Sequence, residues 1–412
     1  MILLLRAFVL LLLLAAAPAE AVRLFTCGFE ENDFTGTIWT NIAGTPTIQT
    51  TTVRSGTYAA SITSGAARDF MRQLSAAVTS GTYFTRMYFR KAGNPSFNDR
   101  ELFVEETTGG ADSVRLRMDT NGQLELVNVV TGTVITGSIL SNDTWYRIEI
   151  RHLLSDTVGE LELRVDGTTQ GTTITGEDTL STEVQRFRFG SSGSDFGANT
   201  FWDDIAINDA TGTFQTTWPG AGKIALIEPA SDTSITWEDD DLVAAATFAN
   251  INELPGTPDD VAFNTEVVTL NSIDRFGVGT LPAEVTSDAD MILLDAYARV
   301  GGTVASTSPT TGRLIVWDEG GTSTNGPNVD FAVNGWRILS VGTTNEHQVF
   351  DLGTRSKTNV EAFSLGYENI TDLATRPRRV STLWANVEWI EAGAGAGGGG
   401  TTPLRTLLGV GQ

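Results

Sequence analysis

The sequence predicts an all-β protein built from two consecutive antiparallel β-sandwiches. Many short segments alternate apolar and polar residues, and Gly, Asn, Asp and Thr turns separate them. Between residues 23 and 207 no window shows a convincing helical period. Alternation at period two is typical of half-buried strands, and short strands with frequent turns are typical of sandwiches. The 412 residues are enough for two domains that each bury a core.

The first sandwich is predicted over residues 22–216. Its clearest strand is 82–90, in which aromatic and polar residues alternate. Asn121-Gly122 and Asp166-Gly167 are strong hairpin signals between neighbouring strands. Further strands are predicted at 113–118, 123–130, 145–152, 160–165 and 184–189.

A linker rich in Gly, Pro and acidic residues is predicted over residues 217–260, with a modest helical or irregular character at 242–254. The second sandwich is predicted over 261–391, and a flexible Gly-rich tail over 392–412, because glycine runs cannot offset their ordering entropy. The strands of the second sandwich are predicted at 290–300, 312–318, 336–341, 347–352, 360–367 and 379–389.

Residues 1–21 have the pattern of a targeting segment. Arg6 precedes the apolar run 7–17, and Ala19-Glu20-Ala21 has the small-x-small form of a signal-peptidase site. The segment is predicted to be a signal peptide cleaved after Ala21, or else a wrongly assigned start upstream of Val22. The run is too short to span a bilayer comfortably, and no later stretch predicts a membrane span.

The composition excludes several classes of protein. The chain has 27 Lys plus Arg against 50 Asp plus Glu, a formal charge of −23, with two His and one Cys. So few His and Cys cannot form zinc clusters or a disulfide framework. The acidic balance disfavours nucleic acid as a partner, because the field of the protein repels polyanions.

A search for catalytic groups predicts no enzyme and no cofactor. His152 and His347 lie far apart in the sequence, without a Gly-x-Ser-x-Gly motif. Glu160 and Glu162 project from one strand face, but neighbours at i and i+2 lie about 6.5–7 Å apart at the backbone. Retaining glycosidases place their carboxyl groups about 5–5.5 Å apart. A solvated strand face is therefore the favoured interpretation of these two acids.

Asp203 and Asp204 are the candidate metal ligands. One of two consecutive strand residues must face inward, and a buried Asp needs either backbone amides or a cation as a partner. Carboxylate oxygens suit Ca²⁺, so the pair is a candidate Ca²⁺ site. For glycan stacking, Trp39 and Trp218 are the least obviously buried of the tryptophans, although no glycan-binding residue is assigned.

Five motifs in order resemble the concanavalin A-like (laminin-G-like) jelly-roll family. They are CGFE at 27–30, RSGTYAA at 54–60, TWYRIEI at 144–150, LRVDG at 163–167 and FWDDIAIN at 201–208. The continuation resembles tailed-bacteriophage virion proteins that pair this sandwich with a second β domain. It comprises NDATG at 208–212, WPGAGKI at 218–224, LPGTPDD at 254–260 and RVSTLWANVE at 379–388.

The resemblance implies a non-enzymatic structural component of a virion that contacts host-surface glycans. Other virion proteins would be its partners, and it would form a homo-oligomer in the particle. The alternative is a secreted bacterial carbohydrate-binding or adhesion protein of the same fold, which would retain the signal peptide and act outside the cell.

Overall fold

The computed structural model describes residues 23–391, except 33, 35–37, 66, 181, 192, 194, 211–214, 240–244, 266–270, 303–310, 327, 331–334, 339–347 and 371–377. The predicted signal segment, the predicted tail and His347 therefore lie outside the described residues. Within them, nearly all regular structure is β-strand. No described helix has the length and apolar character needed to cross a membrane.

Among the described residues, fifteen strands form the first sandwich, and they pair into two antiparallel sheets. In chain order they are β1 (Arg23–Cys27), β2 (Asn41–Ala43), β3 (Thr47–Gln49), β4 (Ala59–Ile62), β5 (Arg68–Val78), β6 (Gly81–Lys91), β7 (Arg100–Glu106), β8 (Asp112–Met118), β9 (Gln123–Asn128), β10 (Val134–Ile139), β11 (Tyr146–Leu154), β12 (Gly159–Val165), β13 (Thr168–Glu177), β14 (Val184–Ser191) and β15 (Thr200–Asp209).

Sheet A has the strand order β13-β12-β11-β6-β15-β4-β3, with β1 also paired to β15. Sheet B has the order β10-β9-β8-β7-β14-β5-β2. The inward-facing residues of both sheets form one apolar core, in which Phe70 and Phe189 stack and Trp39 and Trp202 meet Phe70 edge-on. Strand alternation thus buries one face of each sheet and leaves the opposite face for charged residues.

In the part of the second sandwich that the structure describes there are twelve strands. They are β16 (Lys223–Ile227), β17 (Pro229–Ser234), β18 (Asn264–Thr265), β19 (Ile273–Val278), β20 (Asp290–Gly302), β21 (Thr311–Trp317), β22 (Ser323–Asn325), β23 (Val329–Asp330), β24 (Gly335–Ile338), β25 (Gln348–Arg355), β26 (Ser364–Asn369) and β27 (Arg378–Ile390). Sheet C is centred on the long pair β20 and β27, and sheet D has the order β17-β19-β26-β21-β22. A second apolar core lies between them.

The structure confirms the prediction of an all-β chain with two antiparallel sandwiches. It differs from the predicted strand at 360–367, where the helix α1 (Lys357–Glu361) precedes β26. Ser356 caps this helix by accepting a hydrogen bond from the backbone N–H of Asn359, whose side chain bonds back to Ser356. This capping box satisfies N–H groups that a helix start otherwise leaves without partners.

The domain limits stay predictions. Residues 223–234 lie within the stretch predicted as a linker, yet they form β16 and β17 of the second sandwich. Residues 248–250 form one 3₁₀ turn, in line with the irregular character predicted around them.

The second sandwich and the segment leading to it contact the outer face of sheet A. Arg23 of β1 and Arg86 of β6 both pair with Glu388 of β27, and all three side chains are fully buried. The backbone N–H of Gly220 donates to Glu149 of β11 at 2.9 Å. The two sandwiches therefore share a buried ionic interface on sheet A, whereas none of these contacts involves sheet B.

Candidate functional site

Asp203 and Asp204 lie in the interface between the sandwiches. Both are fully buried, and β15 has a register shift between Asp203 and Ala206, with Asp204 at φ +45°. The Asp204 carboxylate accepts hydrogen bonds from Arg54 at 2.6 Å and the Ile224 N–H at 2.7 Å, and also from a serine hydroxyl. With this bulge both consecutive acids are buried at the interface, whereas strand alternation alone would bury one of them.

The Asp203 carboxylate accepts from the backbone N–H groups of Arg54 and Asp204 at 2.9 and 2.8 Å. Burial, and then the charge of Asp204, raise its pKa well above the ordinary value. Among the described residues no group of three or more His, Cys, Asp and Glu side chains is arranged to hold a metal ion. Ca²⁺ binding by the pair stays a prediction, and a cation there would have to displace these protein donors.

His152 is fully buried between the two sheets of the first sandwich. Its Nδ1 lies 2.7 Å from Glu105 Oε2 and its Nε2 lies 2.9 Å from the carbonyl oxygen of Thr179. Tyr83 donates its hydroxyl to the same Glu105 oxygen at 2.7 Å. This polar group ties β7 of sheet B to β6 and β11 of sheet A through the core, and its side chains are closed to solvent.

Glu160 and Glu162 both project from the outer face of sheet A, as alternation predicts. Arg151 pairs with Glu160 at 2.6 Å and lies 3.7 Å from Glu162, which also accepts from Arg164 at 2.8 Å. Glu162 is buried, so only Glu160 approaches the solvated state expected for both. Ion pairs with Arg151 and Arg164 therefore explain how the protein stabilises these two carboxylates.

Trp39 and Trp218 differ in their surroundings. Trp39 is only 6% exposed and packs among phenylalanines of the first core, where it stacks on Phe29. Trp218 is half-buried, with the Arg164 guanidinium 3.9 Å above its ring centroid and Phe84 against its edge. Trp39 is thus enclosed in the core, and the Arg164 guanidinium covers one face of the Trp218 ring.

The outer face of sheet B carries a compact group of charged side chains, which we call the Arg188 cluster: Asp69, Glu101, Glu106, Asp112, Arg115 and Arg188. Arg188 lies on β14, near the middle of the sheet, and its Nε donates to Glu106 at 2.7 Å. It also lies 3.5 Å from Glu101 and 3.8 Å from Asp112. Arg115 contacts Glu101 at 3.2 Å and pairs with Asp112.

Strand register assembles the Arg188 cluster from four strands. In β14, Phe187 and Phe189 face the core, so Arg188 faces outward. Gly190 pairs with Asp69 of β5, and this places the aspartate beside the arginine. Three members of the cluster are less than 10% exposed, namely Asp69, Glu106 and Arg188. The cluster is therefore rigid, although it lies on an outer face.

Asp69 is the acidic member of the cluster with a shifted pKa. Burial raises its pKa to about 6, and the charges of Glu106 and Glu101 act in the same direction, against Arg188. Its Oδ2 has no hydrogen-bond partner among the described residues. An acid that is partly protonated near neutral pH is able to exchange a proton with a bound molecule.

Sequence reasoning missed the Arg188 cluster, although part of its signal was visible. The segment VQRFRF at 184–189 alternates arginine with phenylalanine, which predicts a strand with a charged outer face. The partners Asp69, Glu101 and Glu106 lie on β5 and β7, and neither of these strands was predicted. The register that brings residues 69, 106 and 188 together is therefore a finding of the structure.

Comparison with known proteins gives likeness of fold only. No family model matches the chain, and no curated protein matches it. Among solved structures, the cellulose-induced protein Cip1 is 17% identical, with a TM-score of 0.37 over 48% of this chain and 99% of that one. A carbohydrate esterase from Shiga toxin-encoding bacteriophage phi24B is 12% identical, with a TM-score of 0.37 over 47% and 100%. An alginate lyase from Chlorella virus is 12% identical, with a TM-score of 0.35 over 46% and 100%.

The expectation that the chain is not an enzyme is corrected by these findings. The solved structures of similar fold are mostly named as enzymes, among them the esterase, the lyase and a sialidase. A scarcity of His and Cys is no sign of an inactive protein, because carboxylates also carry proton-transfer chemistry. These neighbours are carbohydrate-active or carbohydrate-related proteins by name, and none of them shows a virion role for this chain.

Proposed function

We propose that this chain is a carbohydrate-binding component of a bacteriophage particle surface, and that it binds glycan on the outer face of sheet B. The Arg188 cluster is the observation that carries the assignment to this face. The particle location is supported by the resemblance of residues 23–391 to tailed-phage virion proteins.

The arrangement of the two sandwiches supports the choice of face. On sheet A, the ionic interface around Glu388 and the segment that holds Trp218 occupy the centre of the outer face. Sheet B keeps its charged outer face without a described contact from the second sandwich. A glycan chain that lies across a jelly roll therefore finds its open polar surface on sheet B.

The chemistry of the cluster supports a ligand rich in hydroxyl groups. A sugar hydroxyl both donates and accepts hydrogen bonds, and it needs acceptors and donors close together. The cluster supplies both, with Glu106 and Glu101 as acceptors and Arg188 as a planar donor. Since these groups are held by burial and ion pairs, little side-chain entropy is lost when a ligand binds.

A second candidate function is hydrolysis of a glycosidic bond at the same face. The raised pKa of Asp69 favours it, because a general acid must hold a proton near the working pH. Asp69 would protonate the leaving oxygen, and Glu106, whose carboxylate is held by Arg188, would act as the base or nucleophile.

A glycan array probed with the whole protein, followed by calorimetry, tests binding at this face. Arg188→Lys keeps the positive charge but loses the planar fork, so we expect affinity for the best glycan to fall about 10-fold. Arg151→Lys is the matched control, because Arg151 also pairs with glutamates but lies on sheet A. Equal loss in both variants, or no glycan bound by the wild type, would refute the assignment.

The bound glycan also serves as the substrate in a test of hydrolysis. We expect Asp69→Asn to retain binding, and a loss of product formation in this variant would establish the second candidate.

Mass spectrometry of purified particles against culture supernatant separates a virion component from a secreted adhesion protein. A mature chain that starts at Val22 and occurs only in the supernatant would overturn the particle location.

A further inference from the structure

An exposed aromatic ring lies at the end of sheet B, in the loop that joins β6 to β7. Phe97 is 64% exposed, and every other aromatic residue that the structure describes is buried or half-buried. The guanidinium carbon of Arg100, the first residue of β7, lies 4.9 Å from the centre of the ring. An exposed ring lacks the free energy that burial supplies, so a partner that covers Phe97 would gain it.

Hydrogen bonds on both sides of Phe97 fix the loop that carries it. The backbone N–H of Ser96 donates to the carbonyl oxygen of Phe196 at 3.1 Å. Asn98 Oδ1 accepts from both the backbone N–H and the hydroxyl of Thr120, each at 3.0 Å. Thr120 lies in the turn between β8 and β9. Because the loop is already held in place, little backbone entropy would be lost when a ligand binds to the ring.

A row of charged side chains leads from this loop to the Arg188 cluster. Asp99 follows Phe97 by two residues, and its Oδ1 lies 3.2 Å from Arg117 of β8. Arg117 also pairs with Glu125 of β9 at 2.8 Å. In strand register Arg117 lies opposite Glu101, which is a member of the cluster. The loop therefore borders the same outer face of sheet B.

The charged groups nearest the loop are accessible to a ligand. The side chains of Asp99, Arg117 and Glu125 are 62%, 23% and 26% exposed, respectively. The arginine offers planar N–H donors, and the two carboxylates offer acceptors. A pyranose ring has C–H groups that suit the negative face of an aromatic ring, and hydroxyl groups that need donors and acceptors. The loop and the adjoining face supply both kinds of partner.

The charge around the loop favours a neutral sugar. Asp99 is the most exposed of these three charged side chains, and the whole chain carries a formal charge of −23. A sugar with a carboxylate or sulfate group would be repelled by this field. A sugar that carries only hydroxyl groups meets no such repulsion.

We propose that Phe97 is a stacking platform for one ring of a neutral oligosaccharide, which continues across Arg117 to the Arg188 cluster. This inference rests on the proposed function, and it adds an aromatic contact, the direction of the glycan and its neutral class. Because β7 separates them, β8 and β14 lie about 10 Å apart. One sugar ring on Phe97 would not reach Arg188, so the ligand has several sugar residues.

Substitutions of Phe97 separate stacking from other roles of the ring. Phe97→Ala should weaken binding of the tightest neutral oligosaccharide on the array about 10-fold. Phe97→Leu keeps an apolar side chain without an aromatic face, so we expect the same loss, whereas Phe97→Trp should bind at least as tightly as the wild type. The melting temperature should stay the same in all three variants, because substitutions at exposed positions change stability little.

Val158→Ala is the matched control, because Val158 is 63% exposed but lies between β11 and β12 of sheet A. Calorimetry compares the neutral oligosaccharide with hexagalacturonate, an acidic probe. Wild-type affinity in Phe97→Ala or Phe97→Leu, or tighter binding of hexagalacturonate, would overturn the inference. If Arg188→Lys still loses affinity in that case, the proposed function stands without Phe97.

If the wild type binds no oligosaccharide, the proposed function fails, and the ring is then tested alone by ¹⁹F NMR. The whole protein is labelled with 4-fluorophenylalanine, and the Phe97 resonance is identified by its loss in Phe97→Leu. Glucose, galactose and mannose are titrated in turn. A saturable shift of this resonance that persists in Val158→Ala would support stacking on Phe97, and the absence of a shift would overturn it.

Discussion

In the polar group formed by Tyr83, Glu105 and His152, a single residue, Glu105, links the two sheets of the first sandwich. Glu105 comes from sheet B, and the other two come from sheet A. With Thr179 O at one ring nitrogen and Glu105 at the other, His152 uses both of its hydrogen-bonding positions. A buried carboxylate is tolerated only when such partners surround it.

We expect His152→Ala to lower the free energy of unfolding by about 3–5 kcal/mol, because it leaves Glu105 buried with one partner fewer. Urea denaturation measures this loss. A double-mutant cycle with Glu105→Gln separates the pair from the cavity left by the ring, and we expect a coupling of about 1–3 kcal/mol. Additive losses in the cycle would show that the two side chains act independently.

At the scale of the elements, prediction from sequence succeeded where one alternating segment specifies a strand by itself. The strands β6, β20 and β27 have clear alternation or long apolar runs, and all three were predicted. The segment RDFMRQLSAAV of β5 was missed because its pattern is weak without its neighbours. Strand β26 was placed too early, since the apolar residues of 360–363 hide the capping box of α1.

The Arg188 cluster could not be predicted either, because it depends on how neighbouring strands pair and not on the pattern of any one segment. Its members lie far apart in the chain and meet only through the register of β5, β7 and β14. Adjacent acids pose a further difficulty, because Glu105 faces the core and Glu106 faces outward. The sequence alone does not say which of the two points in which direction.

Position 366 of β26 requires a glycine, because neighbouring atoms in sheet D lie too close to leave room for a side chain. A Cβ there would lie 2.0 Å from the carbonyl oxygen of Asp274 and 2.8 Å from the Trp317 ring. We expect Gly366→Ala to cost about 1–3 kcal/mol of unfolding free energy in thermal or urea denaturation, through overpacking. Gly109→Ala is the control, since its nearest neighbour would be at 3.7 Å. Equal stability of the two variants would contradict the required close approach.

At the scale of the whole molecule, the interface between the sandwiches contains buried acids whose pKa values are shifted in opposite directions. Burial raises the pKa of Glu30 to about 8, although the N–H groups of Thr57 and Tyr58 donate to its carboxylate. Glu388 is buried as well, but the charges of Arg23 and Arg86 hold its pKa below the ordinary value. The two acids therefore give opposite dependences of stability on pH.

Between about pH 4.5 and 8 the folded chain keeps a proton on Glu30 that the unfolded chain has released, so stability falls as pH rises through this window. Glu228, with a pKa of about 7, and Asp69 and Asp274, with pKa values of about 6, act in the same direction. Glu388 acts oppositely: its contribution is present above the unfolded pKa and is lost as pH falls. We therefore expect maximum stability near pH 5.

Glu30→Gln isolates the largest of these effects, because the amide oxygen still accepts hydrogen bonds but the side chain no longer ionises. Between pH 5 and pH 8 the wild type should lose about 2–4 kcal/mol more of its unfolding free energy than the variant does. At pH 5, where Glu30 is neutral in the folded chain, the two proteins should differ little. Urea denaturation at both pH values measures the difference, and parallel pH profiles would show that Glu30 ionises freely in the folded protein.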